Sequence, residues 1–252
     1  MALTDAWMAA RPRTAPDPAA VQQCKIVSHR GEHRGSGLAE NTMEAFRLAA
    51  DAGVWGIEAD IRWTADLVPM IIHDPDTMRV FGEPVTLAEV GFDELRSVVP
   101  QVPTLAELVA TLGGKTHLML ELKDETFPDI ARQQQILDQQ LAGLAPGTDF
   151  HILALDPLLF ETFDIQPRRC CLPVAWANTR VMSRVTLAAG YGGLTGHYLL
   201  LNNAIQSRHQ GSGQKIGTGF VRSRNCLYRE LNRGVDWIFS NDAVHLQSII
   251  GD

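Results

Sequence analysis

The stretch from Gly56 to His73, GIEADIRWTADLVPMIIH, decides how the chain is read. It holds two β-like runs, GIEADI and VPMII, with only a few residues between them. A parallel crossover needs a dozen residues or more, so the second run must turn back antiparallel around Ala65-Asp66-Leu67. Residues whose numbers sum to about 132 then face each other, which returns His73 to roughly the level of Asp60.

Outward from this hairpin, strand-like runs alternate with helical patterns. Strands are expected near 25–29, 55–61, 117–122, 150–154, 170–175, 193–201, 214–221 and 236–239. Helices are expected over 42–52, 104–112, 128–144, 157–164, 179–189, 203–209, 223–232 and 243–250. Eight such units in 252 residues predict a single-domain α/β fold, a (β/α)8 TIM barrel with an extra β-hairpin after its second strand. Asn41 and Glu44 have capping-box spacing, and Asn41 is expected to open the first of these helices. Residues 1–23, MALTDAWMAARPRTAPDPAAVQQ, are expected as a leader, partly disordered or weakly packed, ahead of a barrel domain at 24–252. The Gly-rich stretch 211–219 misses the dinucleotide-binding spacing and is expected as a flexible loop running into a strand.

Composition excludes several function classes. Net charge is −7 with no basic run, so nucleic acid or a polybasic membrane contact has no footing. Phosphate recognition would have to come from a few placed cations. No apolar run approaches the ~20 residues that span a bilayer, and the leader lacks signal-peptide character. The four cysteines, Cys24, Cys170, Cys171 and Cys226, form no C-x-x-C pair and are expected as reduced thiols of a cytoplasmic protein. Composition leaves the oligomeric state open.

The C-terminal strand ends of such a barrel form its active face. There the first strand ends in His29-Arg30, the second carries Glu58 and Asp60, the hairpin returns His73, and LMLELK carries Glu121 and Lys123. Residues two apart on a strand point the same way. Three converging carboxylates repel one another, and a divalent cation relieves that repulsion. All-oxygen ligands suit Mg²⁺ or Ca²⁺, so Glu58, Asp60 and Glu121 are candidate ligands of one such ion. Arg30 and Lys123 are candidate phosphate-binding cations, and His29 and His73 a candidate acid–base pair for phosphoryl chemistry. Read singly, each residue has a plainer role: Lys123 a salt-bridge partner of Glu121, His73 a turn residue. Their common location favours the site.

HRG (29–31), ENTMEAF (40–46), GIEADIRWTAD (56–66), VPMIIHD (68–74), VPTLAEL (102–108) and LMLELK (118–123) together resemble the glycerophosphodiester phosphodiesterase family, with a weaker echo in GVDWIFSND (234–242). The resemblance implies a metal-dependent hydrolase releasing sn-glycerol 3-phosphate and an alcohol from a small-molecule glycerophosphodiester. It implies His29 and His73 as acid–base pair, Glu58, Asp60 and Glu121 as metal ligands, and Arg30 and Lys123 as phosphate contacts. Of the two His-Arg-Gly copies in HRGEHRG (29–35), it implies the first, with His33 at the rim. The chain departs from the family pattern at Ala39, usually proline. The cap region FGEPVTLAEVGFDELRSVVPQ (81–101) is short, and GTGFVRS (217–223) stands where an aromatic-rich segment is usual. Two alternatives stay open here: a phospholipase-type lyase ending at a cyclic phosphate, and a non-catalytic barrel that binds a phosphorylated ligand.

Overall fold

The computed structural model describes residues 2–251. Among them, nine strands share one sheet: β1 (Ile26–His29), β2 (Gly56–Trp63), β3 (Pro69–Ile71), β4 (His117–Leu122), β5 (Phe150–Ala154), β6 (Cys171–Ala175), β7 (Gly193–His197), β8 (Lys215–Gly219) and β9 (Trp237–Ser240). The order is β1-β9-β8-β7-β6-β5-β4-β2-β3, and β1 also pairs with β2. That last pairing closes eight parallel strands into a barrel and leaves β3 outside the ring. The hairpin has the expected register: Ile61 faces Ile71, Arg62 faces Met70 and Trp63 faces Pro69, antiparallel.

The strands are buried on both faces because the pleat sends alternate residues to two different cores. Outward-pointing Ile57, Ala59 and Ile61 of β2 pack with Phe46, Leu105 and Leu108 of the surrounding helices. Inward-pointing Val27, Met119, Leu153, Leu172, Trp237 and Phe239 fill the barrel itself. Each apolar side chain removed from water in this way contributes roughly 1.5–3 kcal/mol.

The helices are α1 (Ala2–Ala10), α2 (Pro18–Gln22), α3 (Met43–Asp51), α4 (Met78–Phe81), α5 (Phe92–Val98), α6 (Leu105–Leu112), α7 (Ile130–Leu141), α8 (Leu158–Thr162), α9 (Thr179–Ala189), α10 (Asn203–Gly211), α11 (Arg224–Arg233) and α12 (Ala243–Gly251). The leader is largely helical. Its Met8 is buried, and Asn225 and Asn232 of α11 donate side-chain hydrogen bonds to Ala9 O and Thr14 O, at 2.6 and 2.8 Å.

Three local expectations differ from the structure. The first barrel helix, α3, is capped by Thr42, whose hydroxyl accepts from Ala45 N, and not by Asn41. Asn41 sits in the left-handed region, at φ 55°, a conformation its short amide tolerates. Strand β7 ends at His197, because Leu200 and Leu201 donate back to His197 O and turn the chain. The Gly-rich stretch is not a flexible loop: Gly211 ends α10, and after a short turn Lys215–Gly219 forms β8, within the strand expected at 214–221. The reduced cap between β3 and β4 folds as short helices over its own small core of Met70, Ile72, Leu87, Leu95, Val99 and Val102.

Candidate active site

Strand register brings the predicted residues together. In the parallel ladder His29 lies beside Glu58, and Asp60 lies beside Glu121. One ligand oxygen from each of Glu58, Asp60 and Glu121 falls within 4.8 Å of the others, all three residues being buried. Antiparallel pairing carries His73 back over them, as Ile72 N donates to Asp60 O at 2.9 Å.

Two cations hold the cluster. Lys123 Nζ lies 2.6 Å from Glu121 Oε1 and 3.1 Å from Asp60 Oδ1. Arg30 Nε lies 3.1 Å from Asp60 Oδ2 as an ion pair, and that oxygen accepts a hydrogen bond from Asn41 Nδ2 at 2.8 Å. Burial alone would raise the Asp60 carboxyl, but Lys123 and Arg30 outweigh it and hold it down to about 2. At Glu58 the same two cations are outweighed: burial, then Asp60 and Glu121, push it well above the usual carboxylate range. Glu121 is raised by burial and Asp60 against the pull of Lys123.

The donor set fits a hard divalent cation. Glu58 Oε1 is buried without a hydrogen-bond partner, a condition that costs roughly 1–3 kcal/mol when nothing compensates it. It belongs to one of three carboxylates close enough to share an ion, and oxygen-only sites suit Mg²⁺ and Ca²⁺.

The imidazoles are anchored differently. His29 Nδ1 donates to Asn241 Oδ1 at 2.6 Å, which leaves Nε2 as the free lone pair, 3.7 Å from Glu58 Oε2. Burial, with Arg30 beside it, lowers His29 to about 4. His73 Nδ1 donates to Asp74 Oδ1 at 2.7 Å. Burial lowers His73 as well, but Asp60 and Asp74 pull the other way. Asp74 is in turn paired with Arg79, and Arg79 reaches Glu40 at 2.6 Å. Glu40 lies 3.0 Å from Arg30. A chain of alternating charge thus links the two histidine loops.

The backbone around Arg30 is unusual. Arg30 has φ 61° and Gly31 φ 76°, while Arg30 N donates to Glu58 O at 3.0 Å. A Cβ at Gly31 would lie 2.8 Å from the Ala45 backbone carbon, so glycine is required in this tight turn. Strained backbone of this kind clusters at functional sites. His33, in the second His-Arg-Gly copy, instead donates to Gly31 O at 3.1 Å and stays on its own loop.

All seven sequence-predicted residues therefore meet at one mouth, six of them lining a single cavity of about 370 Å³ with Asp60 beneath. Sequence reasoning missed Asn41, Asn241, Asp74, Glu40 and Arg79. The ENT and SND stretches were visible, but their amides had no assigned partner. Arg222, just after β8, pairs with Asp242 at 3.0 Å.

Residues 29–165 match the family model described as the glycerophosphoryl diester phosphodiesterase family, more than half of the chain. The chain belongs to this family. Over 115 residues it is 32% identical to glycerophosphodiester phosphodiesterase 1 of Bos taurus, covering 40% of this chain and 34% of that protein. Over 111 residues it is 32% identical to a glycerophosphodiester phosphodiesterase of Caldanaerobacter subterraneus, covering 39% and 44%. The match to the mammalian relatives thus spans about a third of their length. Among solved structures, a glycerophosphodiester phosphodiesterase from Thermotoga maritima superposes with TM-score 0.76 at 17% identity, covering 90% of this chain and 98% of that one. An Oleispira antarctica phosphodiesterase, solved in complex with the product sn-glycerol-3-phosphate, gives TM-score 0.76 at 20% identity, covering 92% and 99%. These structures share the barrel of this glycerophosphodiester phosphodiesterase family member.

Proposed function

We propose that this protein hydrolyses glycerophosphodiesters to sn-glycerol 3-phosphate and an alcohol, using one Mg²⁺ or Ca²⁺ ion. The observation that carries this reading is the meeting of three buried carboxylates, two imidazoles and two cations at one barrel mouth. Glu58, Asp60 and Glu121 would hold the ion. Bound there, it would supply positive charge against the phosphate oxygens and help to acidify the attacking water.

The chain's own groups do the rest. Arg30 and Lys123, already fixed against the carboxylates, place positive charge at the edge of the phosphate. His29 is the proton acceptor: its neighbour Asn241 is a neutral amide, its Nε2 is free, and its low pKa keeps it neutral near pH 7. His73 is assigned as the proton donor to the leaving alcohol by its backing: the Asp74 carboxylate holds its Nδ1, a charged partner that His29 lacks, and opposes the lowering that burial imposes. Water's oxygen bonds to phosphorus, the bond from phosphorus to the alcohol oxygen breaks, and one proton crosses at each face.

No helix among the described residues is long and apolar enough to cross a membrane. No disulfide links the four cysteines, which supports the cytoplasmic placement. The test is glycerol 3-phosphate release from glycerophosphocholine with phosphorus NMR of the products. Activity should disappear on EDTA treatment and return with Mg²⁺ or Ca²⁺. Chelator-insensitive turnover would remove the metal from the reading, and a cyclic phosphate as final product would replace hydrolysis with the lyase reaction.

A further inference from the structure

The opposite end of the barrel holds a second cavity, of about 430 Å³, which the chemistry at the mouth does not use. It lies at the starts of β5 to β8, and His151, Arg169 and Lys215 are among its lining residues. No Asp or Glu lines it, in a chain of net charge −7. The local sequence draws its walls together. A side chain at Gly192 would strike Arg169 O, and one at Gly193 would strike Lys215 O, so this glycine pair lets the two cation-bearing segments approach.

Both cations lack a counter-charge. Among the described residues, neither Arg169 nor Lys215 forms an ion pair. Lys215 Nζ rests over the Trp237 ring at 5.2 Å, and the neighbouring Asp236 accepts from Ile216 N at 2.8 Å. Lys215 also lowers Lys25, at the start of β1, as like charges do when held near each other.

The cavity presents a bare lone pair as well. His151 is only 4% exposed. Thr148 O can only accept, so His117 Nδ1 donates to it, and His117 Nε2 accepts from His151 Nδ1. Burial keeps both rings neutral near pH 7. His151 Nε2 is then an acceptor without a partner. A metal ion would suit that nitrogen but not the two cations in the same cavity. An anion suits the cations, but one without a proton would set its oxygen against the lone pair. An anion with a hydroxyl of its own satisfies all three groups.

We propose that this cavity binds an oxyanion carrying a hydroxyl, hydrogen phosphate being the simplest, with Lys215 and Arg169 on its charged oxygens and its hydroxyl donating to His151 Nε2. The site is separate from the mouth and stands whether or not the hydrolysis reading does. It joins the start of β5 to that of β8 and to the turn before β6.

The test follows the imidazole nitrogens of the full chain by ¹⁵N NMR, with Mg²⁺ present, as inorganic phosphate is added above neutral pH. The His151 signals are assigned by their loss in His151→Gln or, should that variant not fold, by the coupling across the His117–His151 hydrogen bond. His151 Nε2 should move upfield and saturate, as an acceptor nitrogen does on taking up a hydrogen bond. Lys215→Gln and Arg169→Gln should keep their melting temperature in phosphate-free buffer and bind phosphate at least about tenfold more weakly. Sulfate, which has no proton to give at this pH, should also bind at least about tenfold more weakly than phosphate. A His151 signal that stays still while those of His29 and His73 move places phosphate at the mouth alone and overturns the inference. Affinity unchanged in both charge variants overturns it too, and sulfate binding as tightly as phosphate overturns the assignment of a hydroxyl-bearing ligand.

Discussion

His29 and Asn241 stand 212 residues apart in the chain and 2.6 Å apart in space. The contact is made where β1 pairs with β9, so closure of the barrel is what completes the site. Barrel closure sets the tautomer of His29 and points its free nitrogen at the carboxylates. Removing the amide should leave the fold alone and loosen the imidazole. Asn241→Ala is expected to lower kcat about 10–100-fold, the usual cost of losing such an orienting partner. KM and melting temperature should change little. Unchanged kcat would show that His29 is positioned without Asn241.

The two histidines should fail alike in rate and differ from the ligands in metal binding. His29→Ala and His73→Ala are each expected to lower kcat by about 10²–10⁴-fold, while calorimetric Mg²⁺ or Ca²⁺ affinity stays near that of the wild type. Near-normal turnover in either variant would remove that residue from the pair.

Glu58→Gln separates a ligand from a structural carboxylate. Its Oε1 has no partner in the protein, so the amide costs the fold little and the ion much. The metal concentration for half-maximal activity should rise at least about tenfold, in line with a lost ligand, and excess metal should restore part of the rate. An unshifted metal dependence would unseat Glu58.

Much of this was legible in the sequence, for a physical reason. The 2.0-residue period of a strand fixes that Glu58 and Asp60 share a face, and so short a gap before the next strand permits only a hairpin, so the approach of His73 to Asp60 followed from counting. The pairing sum of about 132 is met at Ile61–Ile71, Arg62–Met70 and Trp63–Pro69. Contacts that depend on loop conformation were not legible. Asn41 has capping-box spacing, yet its left-handed backbone turns the amide onto Asp60 and gives the cap to Thr42. Asn241 is invisible as a partner of His29 until the ring closes. The hold of the leader on α11 likewise rests on single side-chain contacts to backbone carbonyls, which carry no periodic signal.

A second histidine pair, at the opposite end of the barrel, should govern acid stability. His117 Nε2 accepts from His151 Nδ1 at 2.8 Å, and His117 Nδ1 donates to Thr148 O at 2.8 Å. Trp55 stacks on His117 with ring centres 4.2 Å apart. Burial lowers His117 to about 4, and burial with His117 beside it lowers His151 to about 3. Both lie below the ordinary value of 6.5, so the unfolded chain binds more protons across that window. Above about pH 6.5 the pair costs no stability, and stability falls as pH drops from there toward 4. Melting temperature against pH should decline over this window, and His117→Gln with His151→Gln should flatten the decline. An equally steep decline in the double variant would assign acid sensitivity elsewhere.

The central question is whether the cluster of Glu58, Asp60 and Glu121 takes a cation or is satisfied by Lys123 and Arg30 alone. Anomalous diffraction from crystals grown with Mn²⁺ answers it directly. The account predicts a strong anomalous peak bonded to one oxygen of each carboxylate, with Glu58 Oε1 among the ligands or beside them. No peak at saturating Mn²⁺, with Lys123 still bridging Asp60 and Glu121, would contradict it.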